Sequence, residues 1–320
     1  MDISLSELSE VKNLSNKIIQ GDCLNVMNNK LDNNSIDLIV TDPPYNISKA
    51  KWDKIDNYIE WCGKWIKQCE RVLKQNGSFY FFHNDFEVLA ELQKKIKENT
   101  NFIFKQLIVW NKRFKNANNK GFLDGFVEVN NLRNYQKMAE YCLFYTLQDI
   151  KKDCTFSKVR DYIIREYEKA FSNQKEFNEY LGFASNGGMA SRKYLGQTQW
   201  YLPKKEHYKK LQETGYFQKD YQKLKKQYEK EKYTFNNQKT HHSVWNYEIA
   251  EKRGHITPKP VPLLKNILKH SSNKGDIVLD CFAGSGTTGV ACQNTNRDYI
   301  LIEQEEKYID IIKDRLKGGE

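Results

Sequence analysis

Apolar residues fall into two kinds of pattern along the chain. Short β-branched and aromatic runs, Ile36-Asp37-Leu38-Ile39-Val40, Ser78-Phe79-Tyr80-Phe81-Phe82 and Phe104-Lys105-Gln106-Leu107-Ile108-Val109-Trp110, are continuous rather than alternating. A strand covered on both faces needs apolar side chains on both sides of its pleat, so these runs predict strands of a largely parallel sheet. Between the first two, Asn57 to Leu73 carries helical spacing and is closed by Asn76-Gly77. The pattern changes near Lys151: Val159, Tyr162, Ile163 and Tyr167, then Tyr221, Leu224 and Tyr228, recur at helical steps and predict amphipathic helices. From His241 the first pattern returns, with a strand at Asp276-Ile277-Val278-Leu279-Asp280 and another at Tyr299-Ile300-Leu301-Ile302 that ends on Glu303. The expected organisation is α/β, with one domain built from 17–150 and 239–320 and interrupted by a helical insertion over 151–238.

Composition adds a partner and excludes some classes. The 320 residues are 39% hydrophobic and 13% aromatic, enough for real cores, and the formal net charge is +10. A positive excess of that size favours a polyanionic partner. Ten lysines against five acids lie between Lys204 and Lys232, as a solvated helix face or as part of a nucleic-acid surface. The seven cysteines are odd in number and form no Cys-x-x-Cys pair, so they read as reduced buried thiols and not as a disulfide framework or a zinc site. Met1 to Gln20 has no signal-peptide layout, and no stretch approaches the roughly 18 apolar residues of a membrane span. A cytoplasmic, nucleoid-associated protein is expected, with no metal site.

The strand ending at Asp280 runs into Cys281-Phe282-Ala283-Gly284-Ser285-Gly286-Thr287-Thr288-Gly289, and a helix follows. Gly284-x-Gly286-x-x-Gly289 lets backbone approach a ligand at a helix N-terminus, and Glu303, nineteen residues past the first glycine, is spaced to accept ribose hydroxyls. These features suit NAD, FAD or S-adenosylmethionine alike. An NAD domain needs a second mononucleotide half, yet seventeen residues follow Glu303. Asp280 would also sit poorly beside a pyrophosphate, whereas it suits the amino group of a methionine moiety. S-adenosylmethionine is the expected cofactor.

Thr41-Asp42-Pro43-Pro44-Tyr45 directly follows the Ile36–Val40 run. Two prolines cannot continue the strand and make a rigid turn at its C-terminal edge, where open α/β sheets bind ligands. Such a turn can aim the Asp42 carboxylate and the Pro43 carbonyl as two acceptors for the two N–H donors of an exocyclic amine. Tyr45 supplies a ring on which a base can stack.

Asp42-Pro43-Pro44-Tyr45 in the N-terminal part and Asp280-x-Phe282-x-Gly284-x-Gly286 near the C-terminus together resemble the DNA amino-methyltransferases, and their order resembles the group called beta. Gly21-Asp22-Cys23 resembles that family's site for the cofactor adenine. Gly254-His255-Ile256-Thr257-Pro258-Lys259-Pro260 resembles its Gly-His-Pro-Thr-Gln-Lys-Pro element, departing from it at Ile256 and Pro258. The resemblance implies a Rossmann-like class I methyltransferase fold, a circularly permuted, seven-stranded mixed sheet with an inserted helical target-recognition region. It implies cofactor contacts from Asp22, Cys23, Asp42, His255, Lys259 and Asp280, and from the loop residues Phe282, Ala283, Gly284, Ser285, Gly286, Thr287 and Thr288, with Glu303 on the ribose. Asp42, Pro43, Pro44 and Tyr45 would be catalytic, acting on a base flipped out of the duplex, by direct displacement without a covalent enzyme intermediate. Asp rather than Ser at the head of the tetrad leans toward adenine N6 over cytosine N4 in that family. An inactive DNA-binding protein of the same fold is the alternative of another class. The implied partners are double-stranded DNA, a second copy of the chain and a cognate restriction endonuclease.

Two further segments are DNA-contact candidates. Phe177 to Leu195 reads as a helix-turn-helix whose second helix carries Ser191, Arg192 and Lys193. Lys112, Arg113 and Lys115 head a polar stretch that would close over phosphates.

Overall fold

The computed structural model describes residues 15–48, 51–112, 138–147, 158–183, 189–196, 200–231, 242–251, 254 and 257–318. Two compact units divide the chain, Met1–Leu147 with Thr234–Glu320, and Gln148–Tyr233.

The described residues of the first unit hold eight strands: β1 (Lys17–Gln20), β2 (Ile36–Thr41), β3 (Leu73–His83), β4 (Ile103–Asn111), β5 (Ala139–Thr146), β6 (Val244–Asn246), β7 (Ile277–Asp280) and β8 (Asp298–Glu303). Their order across the sheet is β1-β8-β7-β2-β3-β5-β4-β6. The β1–β8, β8–β7, β7–β2 and β2–β3 pairs are parallel, and β5 runs antiparallel to both β3 and β4. The sheet therefore has one strand more than the seven expected: the three-residue β6, whose Trp245 pairs with Trp110, adds to the edge of β4.

Continuous apolar runs became strands covered on both faces, for the reason expected. Ile39, Phe79 and Phe81 point into one core with Trp65, Leu89 and Leu92, while Leu38, Val40, Tyr80 and Phe82 point into another with Leu263, Ile267 and Leu301. Helices α1 (Cys23–Lys30), α2 (Tyr58–Val72) and α3 (Phe86–Asn99) contribute to the first core. Five helices among the described residues of the insertion, between Lys158 and Glu231, come next in the chain, and α9 (Val261–Ser271), α10 (Thr287–Gln293) and α11 (Glu306–Gly318) serve the second core. The Phe104–Trp110 run departs from expectation. β4 pairs antiparallel with β5 and lies next to the short edge strand, and burial alternates along it, with Ile108 and Trp110 buried and Phe104 exposed. Asn76-Gly77 does not close the helix either: α2 stops at Val72 and β3 starts at Leu73. The register with β2 jumps from Ile36↔Leu73 to Leu38↔Ser78. A Cβ on Gly77 would stand 2.8 Å from the Asp37 carbonyl oxygen, so this close backbone approach requires glycine.

The second unit comprises α4 (Lys158–Ala170), α5 (Gln174–Tyr180), α6 (Met189–Tyr194), α7 (Lys205–Glu213) and α8 (Tyr221–Glu231). Its own core gathers Val159, Tyr162, Ile163, Phe177, Tyr208, Leu211, Phe217 and Leu224; of the apolar positions expected on α4 and α8, Tyr167, Tyr221 and Tyr228 are only partly buried and pack against it. Asn173 caps α5 by accepting from the Glu176 amide at 3.0 Å. The six described cysteines are all buried; Cys154 lies outside the described residues. Among the described residues no helix is long and apolar enough to cross a membrane.

Candidate active site

Strand order builds the site. β1, β8, β7 and β2 lie side by side and parallel, so their C-terminal ends form a row. Each end delivers a carboxylate: Asp22 after β1, Glu303 at the end of β8, Asp280 at the end of β7 and Asp42 after β2. All four line one cavity of about 470 Å³, together with Tyr45, Phe82, Glu140, Lys259, Phe282 and Gly284. The two segments singled out in sequence meet here. Thr41 donates its hydroxyl to Asp280 Oδ1 at 2.8 Å across 239 residues of chain.

Asp280 is held on three sides. Besides Thr41, the Thr288 hydroxyl donates to Oδ2 at 2.5 Å and the Phe282 amide to Oδ1 at 3.1 Å. Burial raises its carboxyl from 3.8 to about 6, and the three donors only partly offset that cost. Glu303 accepts from the Gly284 amide at 2.7 Å and the Glu305 amide at 2.9 Å, which aims it along the glycine loop, and burial raises its carboxyl as well. Asp22 caps α1 through the Asn25 amide at 3.0 Å. Gly286, at φ 77°, is not among the lining residues: a Cβ there would meet Ile312 at 2.9 Å, so its role is to let the loop turn against α11. Ser285 and Thr287 line the cavity, and both accept from Arg315, at 2.8 and 3.2 Å. Cys23, Ala283 and Thr288 line it too.

The tetrad is fixed by groups the sequence did not advertise. Asp53, 2% exposed, accepts from the amides of Asn46 and Ile47 at 2.7 and 3.2 Å, and Asn46 stands at φ 57°. Tyr58 donates to the Pro44 carbonyl at 2.6 Å. The Tyr45 hydroxyl donates to Asp42 Oδ1 at 2.5 Å, and its ring rests 4.7 Å from the His83 ring. Burial and the carboxylates of Asp42 and Glu140 push the Tyr45 phenol up. Lys259 donates to the other oxygen of Asp42 and lies 3.2 Å from Glu140. Glu140 in turn pairs with Lys112. Lys259 was expected at the cofactor and Lys112 at DNA phosphates; both are placed in this buried cluster. The signal for Glu140 in the sequence was a single acid heading the apolar run Tyr141-Cys142-Leu143-Phe144-Tyr145. Asp53, in a polar loop, had none.

His255, Arg113 and Lys115 lie outside the described residues. In the second unit, Ser191 packs inward: its amide donates to Asn178 Oδ1 at 2.8 Å and its hydroxyl accepts from Asn178 at 3.2 Å, tying α6 to α5. Arg192 and Lys193 are exposed.

A family model for DNA methylases, covering N6 and N4 enzymes, matches residues 36–314. The chain belongs to the N6/N4 DNA methylases. The type II methyltransferase M1.MboII of Moraxella bovis is 29% identical over 302 residues, spanning 92% of this chain and 94% of that protein. The DNA adenine methyltransferase YhdJ of Escherichia coli (strain K12) is 30% identical over 308 residues, spanning 93% of this chain and 81% of that protein. Among solved structures, the M1.HpyAVI–SAM complex shares the fold at a TM-score of 0.50 and 21% identity, over 94% of this chain and 99% of that one. The methylase takes its methyl group from S-adenosylmethionine and acts on DNA.

Proposed function

We propose that this methylase transfers a methyl group to the N6 amino group of adenine within a short sequence of double-stranded DNA. The observation that carries the reading is the meeting of Asp42 and Tyr45 with Asp280 and Glu303 in one cavity. The cavity suits S-adenosylmethionine: Glu303, already aimed by two backbone amides, has acceptor capacity left for ribose hydroxyls, and Asp280 for the methionine ammonium. Asp22 would receive the adenine amino group, and Phe282 adds an apolar wall. When bound, the cofactor supplies an electrophilic methyl group on sulfur.

The chain does the rest by positioning and charge. Asp42 and the Pro43 carbonyl accept the two N–H bonds of the target amine, leaving its lone pair free, and the Asp42 carboxylate balances the positive charge that develops on nitrogen. To do so Asp42 exchanges part of its present bonding to Lys259 and Tyr45 for the substrate. Tyr45 offers its ring to the flipped base. Phe82 and Leu264 close the apolar side of the cavity and keep water from the amine. The helical insertion would recognise the target, with Arg192 and Lys193 on phosphates or base edges. The type II naming of M1.MboII supports a cognate restriction endonuclease that reads the same sequence.

YhdJ's being a DNA adenine methyltransferase supports adenine, as does Asp at the head of the tetrad. Digestion of DNA methylated by the purified protein to nucleosides, followed by mass spectrometry, tests it. N6-methyladenine is expected; N4-methylcytosine alone would overturn the base assignment, and no methylated nucleoside would overturn the activity.

A further inference from the structure

β5 is antiparallel to β3 and β4, so it begins where they end. His83 pairs with Tyr141, and Trp110 with Glu140. An antiparallel strand thereby brings its second residue, Glu140, to the same edge of the sheet that carries the tetrad. Glu140 lines the cavity with its side chain only 7% exposed. One of its oxygens takes Lys112; the other lies 3.2 Å from Lys259 Nζ and 3.5 Å from the Tyr45 hydroxyl. Lys259, 6% exposed, reaches Asp42 with the same ammonium. Two ammonium groups and two carboxylates thus alternate, Lys112–Glu140–Lys259–Asp42, and the last member is the proposed acceptor for the amine.

A buried ammonium is costly unless paired, and Asp42 is needed elsewhere once a substrate amine arrives. A second carboxylate resolves the conflict, because Lys259 keeps a partner while Asp42 turns to the base. We propose that Glu140 is a positioning residue of the methyl-transfer site, holding Lys259 charged and in place so that Asp42 can release it for the target amine. The inference rests on the proposed function for the identity of that amine. Burial alone would lower the Lys259 ammonium, but Asp42 and Glu140 outweigh it and the net shift is upward; Glu140 is pushed down by Lys259 and Lys112 despite burial. Among the described residues, the other titratable groups facing the cluster include Tyr45, His83 at the end of β3, Cys142 on β5, Tyr58 on α2 and Asp280 at the end of β7, whose carboxyl is raised by burial and by Asp42. Burial lowers the His83 imidazole and raises the Tyr45, Cys142 and Tyr58 groups, so each favours its neutral form.

The test uses the full chain without cofactor, labelled with 13C at lysine Cε, and follows the Lys259 signal by NMR against pH. That signal is assigned by its loss in Lys259→Arg. Glu140→Gln keeps the shape and removes the charge, and its Lys259 should titrate at least about one pH unit lower, a tenfold change in proton affinity. Glu140→Asp keeps the charge and should stay close to the unsubstituted protein. In DNA methylation assays, Glu140→Gln should lose about tenfold or more in kcat, most severely at alkaline pH, with the S-adenosylmethionine Kd within about threefold. Glu140→Asp should recover part of that loss. An unmoved Lys259 titration in Glu140→Gln, or equal shifts in the Gln and Asp variants, would overturn the role of Glu140. Absence of methylation by the unsubstituted protein would instead overturn the proposed function, and the titration would still decide Glu140.

Discussion

If Asp280 receives the methionine ammonium, as proposed, cofactor binding should depend on pH, and its surroundings set the size of the effect. Its carboxyl is raised to about 6 by burial, against an ordinary 3.8. If the ionised form receives the methionine ammonium, the apparent Kd is the intrinsic one divided by the ionised fraction. That fraction is about 0.9 at pH 7 and about 0.1 at pH 5 for a group titrating near 6, so binding should weaken about tenfold, or ~1.4 kcal/mol, over that interval. An α-ammonium stays largely charged below pH 7, so the ligand adds little of its own. Glu303, also raised by burial, would add in the same direction, which makes Asp280→Asn the necessary comparison. That variant should bind more weakly at pH 7.5, by about 1.5–3 kcal/mol, and show a shallower pH dependence. The stability effect has the opposite sign. An acid whose folded value is raised stabilises the fold least above that value, so ionisation of Asp280 costs stability as pH rises from 3.8 to about 6, and the cost persists beyond. Asp280→Asn removes it and should stabilise the cofactor-free protein at pH 7.5 by up to about 3 kcal/mol. Isothermal calorimetry at pH 5, 6 and 7, with urea unfolding at pH 7.5, measures both. A flat Kd across that range, or the same slope in Asp280→Asn, would refute the assignment of the ammonium to Asp280.

Further outcomes follow from the same geometry. Asp42→Ala should abolish methyl transfer while leaving S-adenosylmethionine affinity within about tenfold, about 1.4 kcal/mol, in a filter-binding assay; retained activity would sink the mechanism. Gly286→Ala should destabilise the fold by about 1–3 kcal/mol in urea unfolding, because φ 77° disfavours a side chain and the new Cβ would stand 2.9 Å from Ile312. Asp53→Ala should raise KM for DNA more than it raises the cofactor Kd, since Asp53 orders the amides of Asn46 and Ile47 beside the tetrad; equal changes in both constants would count against that role. Replacing Arg192 and Lys193 together by Ala should weaken DNA binding and reduce the slope of log K against log salt by up to about 1.8, measured by fluorescence anisotropy.

Local patterns carried much of this molecule. Ile36–Val40 and Ser78–Phe82 are apolar on both faces of the pleat, and that alone makes a two-sided sheet the economical outcome. Pro43-Pro44 after one strand and Gly284-x-Gly286 after another mark places where chain must turn at a strand end, so the proposed catalytic and cofactor segments could be named before any pairing was known. The Phe104–Trp110 run misled for a physical reason: a strand beside a sheet edge can be equally apolar in composition while burying only alternate residues, and nothing within the run reports its direction.

Tertiary structure decided what those segments can do. Thr41 meets Asp280 because β2 and β7 are neighbours in parallel register, although 239 residues separate them. Glu140 faces the tetrad because β5 runs backward, and Lys112 and Lys259, far apart in sequence, both pair with it there. Strand order, direction and register follow from the free energy of the whole sheet, so no short window of sequence encodes them. Residue types and turns determined which chemistry was available; the packing of distant strand ends determined which groups share a site.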